Sequence, residues 1–398
     1  MELEGDIKTY EWGRCGSESV VAELAAINNK DFVIEPLTPY AELWMGDHES
    51  GPSVLKATGD HLGTILTKPL SFLFKVLSVK KALSIQVHPN KELAVRLHRR
   101  HPDIYKDDNH KPELAIAITD FTALCGFRPY EEIYAICQGL PPLKLLIGGD
   151  EQVETLQNAD KEAAKKGLRK CFTKLMTSEQ EAISACLDEI STNYVDVLKS
   201  HKLFDVFTTV QNDFPGDVGL LSLFFLNLLH LKPGDAIYLG ANEIHAYLSG
   251  DCIEAMARSD NVIRAGLTPK FKDVSELTAC LNYDGLPPSE KFFMPRRINE
   301  YIEVFAPPVD DFAIIKVRIP PQTRKYELAL KPHSSILLTL HGKSLMRLSG
   351  HAEFELSRGT IIYIPPDNAP EIEFLSDVCG TEDLVVYITT FNCYRYKL

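Results

Sequence analysis

The sequence predicts a mainly β protein, with two strand-rich regions and an inserted α-helical domain. Three observations carry this. Short β-like runs alternate with turn signals over residues 1 to 130. A helical pattern replaces them over 131 to 216. The β pattern then returns from 217 and contains an internal repeat.

The first region is read from runs such as Leu73-Phe-Lys-Val-Leu77, Ala82-Leu-Ser-Ile-Gln-Val87 and Leu114-Ala-Ile-Ala-Ile-Thr119. In the second, Ser178-Glu-Gln-Glu181 has the form of a capping box, in which a hydroxyl and a carboxylate satisfy the free N–H groups of a helix start. Ile183, Leu187, Ile190, Tyr194, Val197 and Leu198 then recur at helical spacing, as one apolar face requires. The basic run Lys161 to Lys174 reads as a solvated helix face, because acidic residues flank it.

From residue 217 the run Leu223 to Leu231 leads into the turn signal Lys232-Pro-Gly-Asp235, the strand Ala236-Ile-Tyr-Leu239 and a loop reaching His245. Gly234 to His245 aligns without gaps to Gly359 to Pro370, so Pro370 stands where His245 stands in the first copy. Ser335 to Leu340 and Ser344 to Leu348 precede the second copy as strands. Repeated strand–turn units of this kind suit jelly-roll barrels, and their order resembles a cupin. The expectation is two cupin-like jelly-roll barrels. The first is built from residues 1–130 and 217–300 around an insert at 131–216, and a degenerate second spans 301–398.

Composition bounds the function. With 398 residues, more than one core is expected. A net charge of −13 argues against nucleic acid or an anionic membrane as partner, but not against a small anion held by a local cation cluster. No apolar run reaches the roughly 18 residues of a membrane span. The N-terminal stretch is acidic and unlike a secretory signal, so a cytoplasmic protein is expected. The nine cysteines never form Cys-x-x-Cys, which suggests neither a disulfide framework nor a cysteine metal site.

Four segments carry chemistry. Gln86 and His88 lie two apart on a β-like run and so share one face. His110-Lys-Pro-Glu113 is held extended by its proline, which puts Lys111 and Glu113 side by side, either as an ion pair or with Glu113 on a metal and Lys111 on the substrate. His245 lies at a strand end. Together Gln86, His88, Glu113 and His245 offer nitrogen and oxygen donors of the sort zinc accepts. The fourth segment, residues 250 to 270, holds Glu254, Asp260, Arg264 and Lys270, and a forked guanidinium such as Arg264 suits phosphate or an oxyanion.

The run Gly250-Asp-Cys-Ile-Glu-Ala-Met-Ala-Arg-Ser-Asp-Asn-Val-Ile-Arg-Ala-Gly-Leu-Thr-Pro-Lys270 closely resembles the signature of type I mannose-6-phosphate isomerases. Tyr10 to Gly13, Glu42 to Gly46, Ser50 to Ser53, Lys81 to Pro89 and Tyr105 to Glu113 are similar to further stretches of that family. Ile244 departs from it, where the family often has proline before the histidine. The resemblance implies one zinc ion per chain on Gln86, His88, Glu113 and His245, with Arg264 in the active site. It implies roles near the metal for Lys111, Glu254 and Asp260, and substrate contacts from Lys75 and Lys270. The implied reaction interconverts mannose 6-phosphate and fructose 6-phosphate by proton transfer through a cis-enediol, supplying GDP-mannose and glycosylation. A monomer with a sugar-phosphate substrate is expected. Glu254, Asp260 and Lys111 all remain open as the general base. An iron-dependent cupin oxygenase commonly uses several histidines, or two histidines and one carboxylate, whereas a glutamine ligand with Lys and Arg nearby fits a sugar phosphate better. A non-catalytic cupin should have lost a ligand or Arg264, and this chain has lost none.

Overall fold

The computed structural model describes residues 1–348, 352–366, 371–376 and 381–395. The protein is mainly β with a helical domain, and among the described strands the sheets are open paths that do not close into a barrel.

The first half is organised by one long strand, His245–Ala257. Its register against Phe121–Phe127 slips between the pairs Thr122–Ser249 and Ala123–Tyr247, which is a β-bulge. Gly250 follows at φ +109°, and a Cβ there would meet the Asp120 carbonyl oxygen at 2.4 Å, so only glycine fits. The bulge lets one strand serve two sheets. Its first half pairs with Phe121–Phe127 and with Gln86, and its second half with Phe72–Val79 and Glu113–Ala117. Between these layers lies an apolar interior that includes Leu77, Ala115, Ala123, Cys125, Leu239 and Tyr247. Its alanines and cysteine leave room for long polar side chains at one end.

The C-terminal half is a second pair of sheets. An eight-stranded sheet, in which Ala313–Ile319, Leu384–Thr390, Ser335–His341 and Ile361–Ile364 are neighbours, faces four strands. Val304, Ile315, Val317, Met346, Ile372 and Phe374 fill the space between them. The strand Glu2–Glu4 joins this distant sheet, pairing with Ile361–Ile364 on one side and Val54–Leu55 on the other. The N-terminal region therefore contributes to both halves. A separate cluster welds the halves together, burying Phe72, Phe74, Leu114 and Ile253 against Phe312, Ile314, Ile336 and Tyr387. Each such side chain stabilises the fold by about 1.5–3 kcal/mol. Pro370 and its proposed equivalence to His245 lie outside the described residues.

Between Phe127 and Leu226 the chain is helical, from Tyr130–Gly139 to Gly219–Ser222. The helix Lys161–Met176 docks through Phe172, whose ring packs edge-on to Phe127 at 5.1 Å and Phe225 at 5.6 Å. Two local expectations are corrected. Ser178 is not the cap of the next helix, because its hydroxyl donates to the Lys174 carbonyl at the end of the preceding one. The following helix, Gln180–Asn193, has Glu179 at its N-cap and no side-chain cap bond. The apolar periodicity also spans a break, since Val197 and Leu198 belong to a separate short helix, Val195–Ser200.

Candidate metal centre

The strand register gathers the site. Cys125, His245, Gln86 and Arg264 stand directly opposite one another across four strands, so their side chains leave the same face. His245 is the first residue of its strand and Glu113 the first of its own, so the polar groups collect where the strands end. His88 lies just past Ile85–Val87. Ligand atoms of His88, Glu113 and His245 all lie within 4.8 Å of one another, and all three residues are buried. The Gln86 amide is 3.5 Å from His245 Nε2.

Both imidazoles are oriented from behind. His88 Nδ1–H donates to the Asn261 carbonyl at 2.8 Å, and His245 Nδ1–H donates to the Glu243 carbonyl at 2.8 Å. Each ring thus turns the lone pair of Nε2 towards Glu113, at 3.2 Å for His88 and 3.4 Å for His245. This is the arrangement that fixes histidine tautomers at metal sites. The His88 Nε2 atom is buried without a hydrogen-bond partner, which is costly unless something else occupies its lone pair. Burial pushes the His88 imidazole down to about 4, against the pull of Glu113, so it is neutral at pH 7. Burial would raise the Glu113 carboxyl, but His88, Lys111 and His245 together hold it well below the usual carboxylate range. Two imidazole nitrogens, a carboxylate and a side-chain amide fit a divalent zinc ion, which can expand to five-coordination to take a water or substrate oxygen.

A second row runs across the adjoining sheet, where Trp44, Lys75, Glu254 and Ala115 are opposite one another. Lys75 is buried, with its ammonium 3.4 Å from Glu42 and 3.5 Å from Glu254. Burial pulls its ammonium down, but the two carboxylates more than offset this and hold it above the ordinary lysine value. Glu254 also accepts a hydrogen bond of 2.8 Å from the Tyr247 hydroxyl. Burial and the nearby Glu113 charge push its carboxyl up to about 7, against Lys75 and Lys111. Lys111 lies 3.2 Å from Glu113 and is largely enclosed.

The comparisons with known proteins converge. The profile described as phosphomannose isomerase type I, catalytic domain, matches residues 1–130, and that for the helical insertion domain matches residues 147–226. The mannose-6-phosphate isomerase of Mus musculus is 40% identical over 409 residues, covering 96% of each chain. Mannose-6-phosphate isomerase 1 of Arabidopsis thaliana is 38% identical, covering 94% of this chain and 91% of that one. The chain belongs to the type I phosphomannose isomerase family. Among solved structures, a variant of phosphomannose isomerase from Salmonella typhimurium superposes with a TM-score of 0.83 at 29% identity, covering 98% of this chain and 99% of that one. A zinc-bound mannose 6-phosphate isomerase superposes with a TM-score of 0.80 at 29% identity, covering 98% of each chain.

Within this family member the remaining expected residues are more dispersed. Arg264 is half-buried and, among the described residues, lacks a carboxylate within ion-pair distance. It shares a cleft of about 260 Å³ with Lys270, Tyr105 and Asp273. Lys270 is exposed. Asp260 is 47% exposed in its side chain and sits 3.6 Å from His48 at the rim. Lys75, the suggested phosphate contact, lies in the interior between two carboxylates.

Sequence reasoning gave no role to Tyr247, Glu42 or Asp107. Asp107 binds the Ser259 hydroxyl, the Asp260 N–H and the Asn261 amide, and so holds the loop that orients His88. Glu42 accepts from the Trp44 indole as well as pairing with Lys75. The one signal for Glu42 was its placement two residues from Trp44, on the same face of a strand.

Proposed function

We propose that this chain interconverts mannose 6-phosphate and fructose 6-phosphate, using one zinc ion held by Gln86, His88, Glu113 and His245. The observation that carries the reading is the convergence of Nε2 of His88 and His245 on Glu113, each ring braced by a backbone carbonyl. Family membership supports the substrate. Zinc bound there would supply Lewis acidity to the sugar's carbonyl and neighbouring hydroxyl oxygens.

The chain's own residues would do the rest. Moving a proton between C1 and C2 on one face of a cis-enediol needs a base whose pKa lies near the working pH. Glu254, pushed to about 7 and braced by Tyr247 and Lys75, fits that need best. Asp260, half in solvent and beside His48, fits less well. Lys111 would neutralise charge next to Glu113 and face the sugar. Arg264, with Lys270 in the same cleft, would hold the phosphate or the developing oxyanion. We read the two sandwiches as cupin-like jelly rolls. The enzyme is proposed to act as a cytoplasmic monomer feeding GDP-mannose synthesis and glycosylation, without nucleic-acid or membrane partners, as its net charge of −13 suggests. No helix among the described residues is long and apolar enough to cross a membrane.

A coupled assay with mannose 6-phosphate tests the reading, alongside metal analysis before and after chelation. One zinc per chain and activity lost on chelation and restored by zinc are expected. Full activity in metal-free protein, or two tightly held ions per chain, would refute it.

A further inference from the structure

The helical domain carries a second electropositive cleft that shares no lining residue with the metal centre. Its volume is about 850 Å³. One wall is the helix Lys161–Met176 and the residue after it, from which Lys166, Arg169, Lys170, Thr173, Lys174 and Thr177 line the cleft. At 100° per residue these positions fall within one wedge of the helix. Opposite them stand Ile147 and the single lining carboxylate, Glu151.

All four cations are exposed, and among the described residues no carboxylate lies within 4 Å of any of them. Neighbouring acids are engaged elsewhere, Asp150 with Lys144 and Asp284 with Lys165, each at 2.7 Å. Lys166, Lys170 and Lys174 are also spaced four apart, where like charges oppose the helix. A solvated face gains nothing from that spacing, whereas a polyanion lying along it would relieve the repulsion at every step.

The length of the row sets the ligand. Lys166 and Lys174 are eight residues apart, about 12 Å along the axis at 1.5 Å per residue. One phosphate cannot reach both ends. We propose that this cleft binds a linear polyphosphate group, free or as part of a nucleoside di- or triphosphate. The phosphates would lie along the four cations and the Thr173 and Thr177 hydroxyls, and any base would rest against Ile147.

Calorimetry on the zinc-loaded protein tests this with two probes, inorganic tripolyphosphate and a nucleoside triphosphate. Excess magnesium keeps either probe from stripping zinc. Binding is expected for at least one, and the tighter one identifies the source of the phosphates. The double variant Lys170→Gln/Lys174→Gln should weaken it at least about tenfold, a loss of about 1.4 kcal/mol. Arg264→Ala should leave it unchanged. The double variant should keep its isomerase activity, which shows that it is folded. The proposal is overturned by absence of binding at millimolar probe, by equal binding to the double variant, or by loss in Arg264→Ala alone, which would place the probe in the metal cleft.

Discussion

The Nδ1–H of His88 rests on the carbonyl oxygen of Asn261, 2.8 Å away and 173 positions along the chain. The Asn261 side chain is in turn tied to the backbone oxygens of Asp107 and Asn109, at 2.7 and 2.9 Å. The orientation of one buried imidazole therefore depends on two loops clamped together by Asp107.

Loosening that clamp should be felt at the metal. Asp107→Ala removes bonds to Ser259, Asp260 and Asn261 but no ligand atom. Zinc affinity is expected to fall about 10- to 100-fold, as for other residues that brace metal ligands. Competition against a chromogenic chelator measures this, and unchanged affinity would show that the clamp does not govern His88.

Arg264 lies across from Gln86 and, among the described residues, has no carboxylate within ion-pair distance, so its charge is open to a ligand. Arg264→Ala should fold normally and keep zinc, but lose about 10²–10³-fold in turnover, the scale of an electrostatic donor acting in the transition state. Arg264→Lys should recover little, because an ammonium cannot reproduce the planar fork. Near-normal kcat/KM in a zinc-loaded Arg264→Ala protein would remove the residue from the mechanism.

Glu254 gives a pH signature in the metal-free protein. Its carboxyl is raised from 4.5 to about 7, so the folded state binds the proton more tightly than the unfolded chain. The stabilisation is complete below pH 4.5 and is lost as pH rises through 7. Glu254→Gln keeps the shape without the titration. It should flatten the fall in melting temperature between pH 5 and 8 and leave the variant more stable than its parent at pH 8. Parallel melting curves for the two proteins across that range would contradict the shift.

Phe172 anchors the helical domain to the sheet through Phe127 and Phe225. It is fully buried, so Phe172→Ala should cost about 3–5 kcal/mol. Thermal or urea unfolding measures the loss. A change below about 1 kcal/mol would mean the neighbouring rings collapse into the space.

How far the sequence could be read depended on the range of each interaction. The strand Phe72–Val79 and the repeat strands Ala236–Leu239 and Ile361–Ile364 follow from local apolar runs closed by turn residues. Gln86 and His88 could be paired by their spacing. The burial of Lys75 could not, because Glu42 and Glu254 come from other strands whose register no local pattern records. Leu223 to Leu231 was expected to be one β run, yet the strand begins at Leu226, after the helical turn Gly219–Ser222 has carried Phe224 and Phe225 into the helical domain. Ser178 carried a correct capping motif and still served the helix behind it, since its hydroxyl found the nearer carbonyl.

The strand Glu2–Glu4 has a consequence for biosynthesis. Its partner Ile361–Ile364 leaves the ribosome long after it does. At 5–20 residues per second the delay is roughly 20 to 70 s. During that interval the first segment can pair only with Val54–Leu55, and the backbone N–H and C=O groups on its other edge must stay hydrated or be shielded by a chaperone. The amino group of Met1, which ends on the Tyr363 carbonyl at 2.9 Å, is likewise in water until then. Nascent chains stalled before residue 361 should therefore expose their N-terminus to proteases, and released full-length chains should protect it.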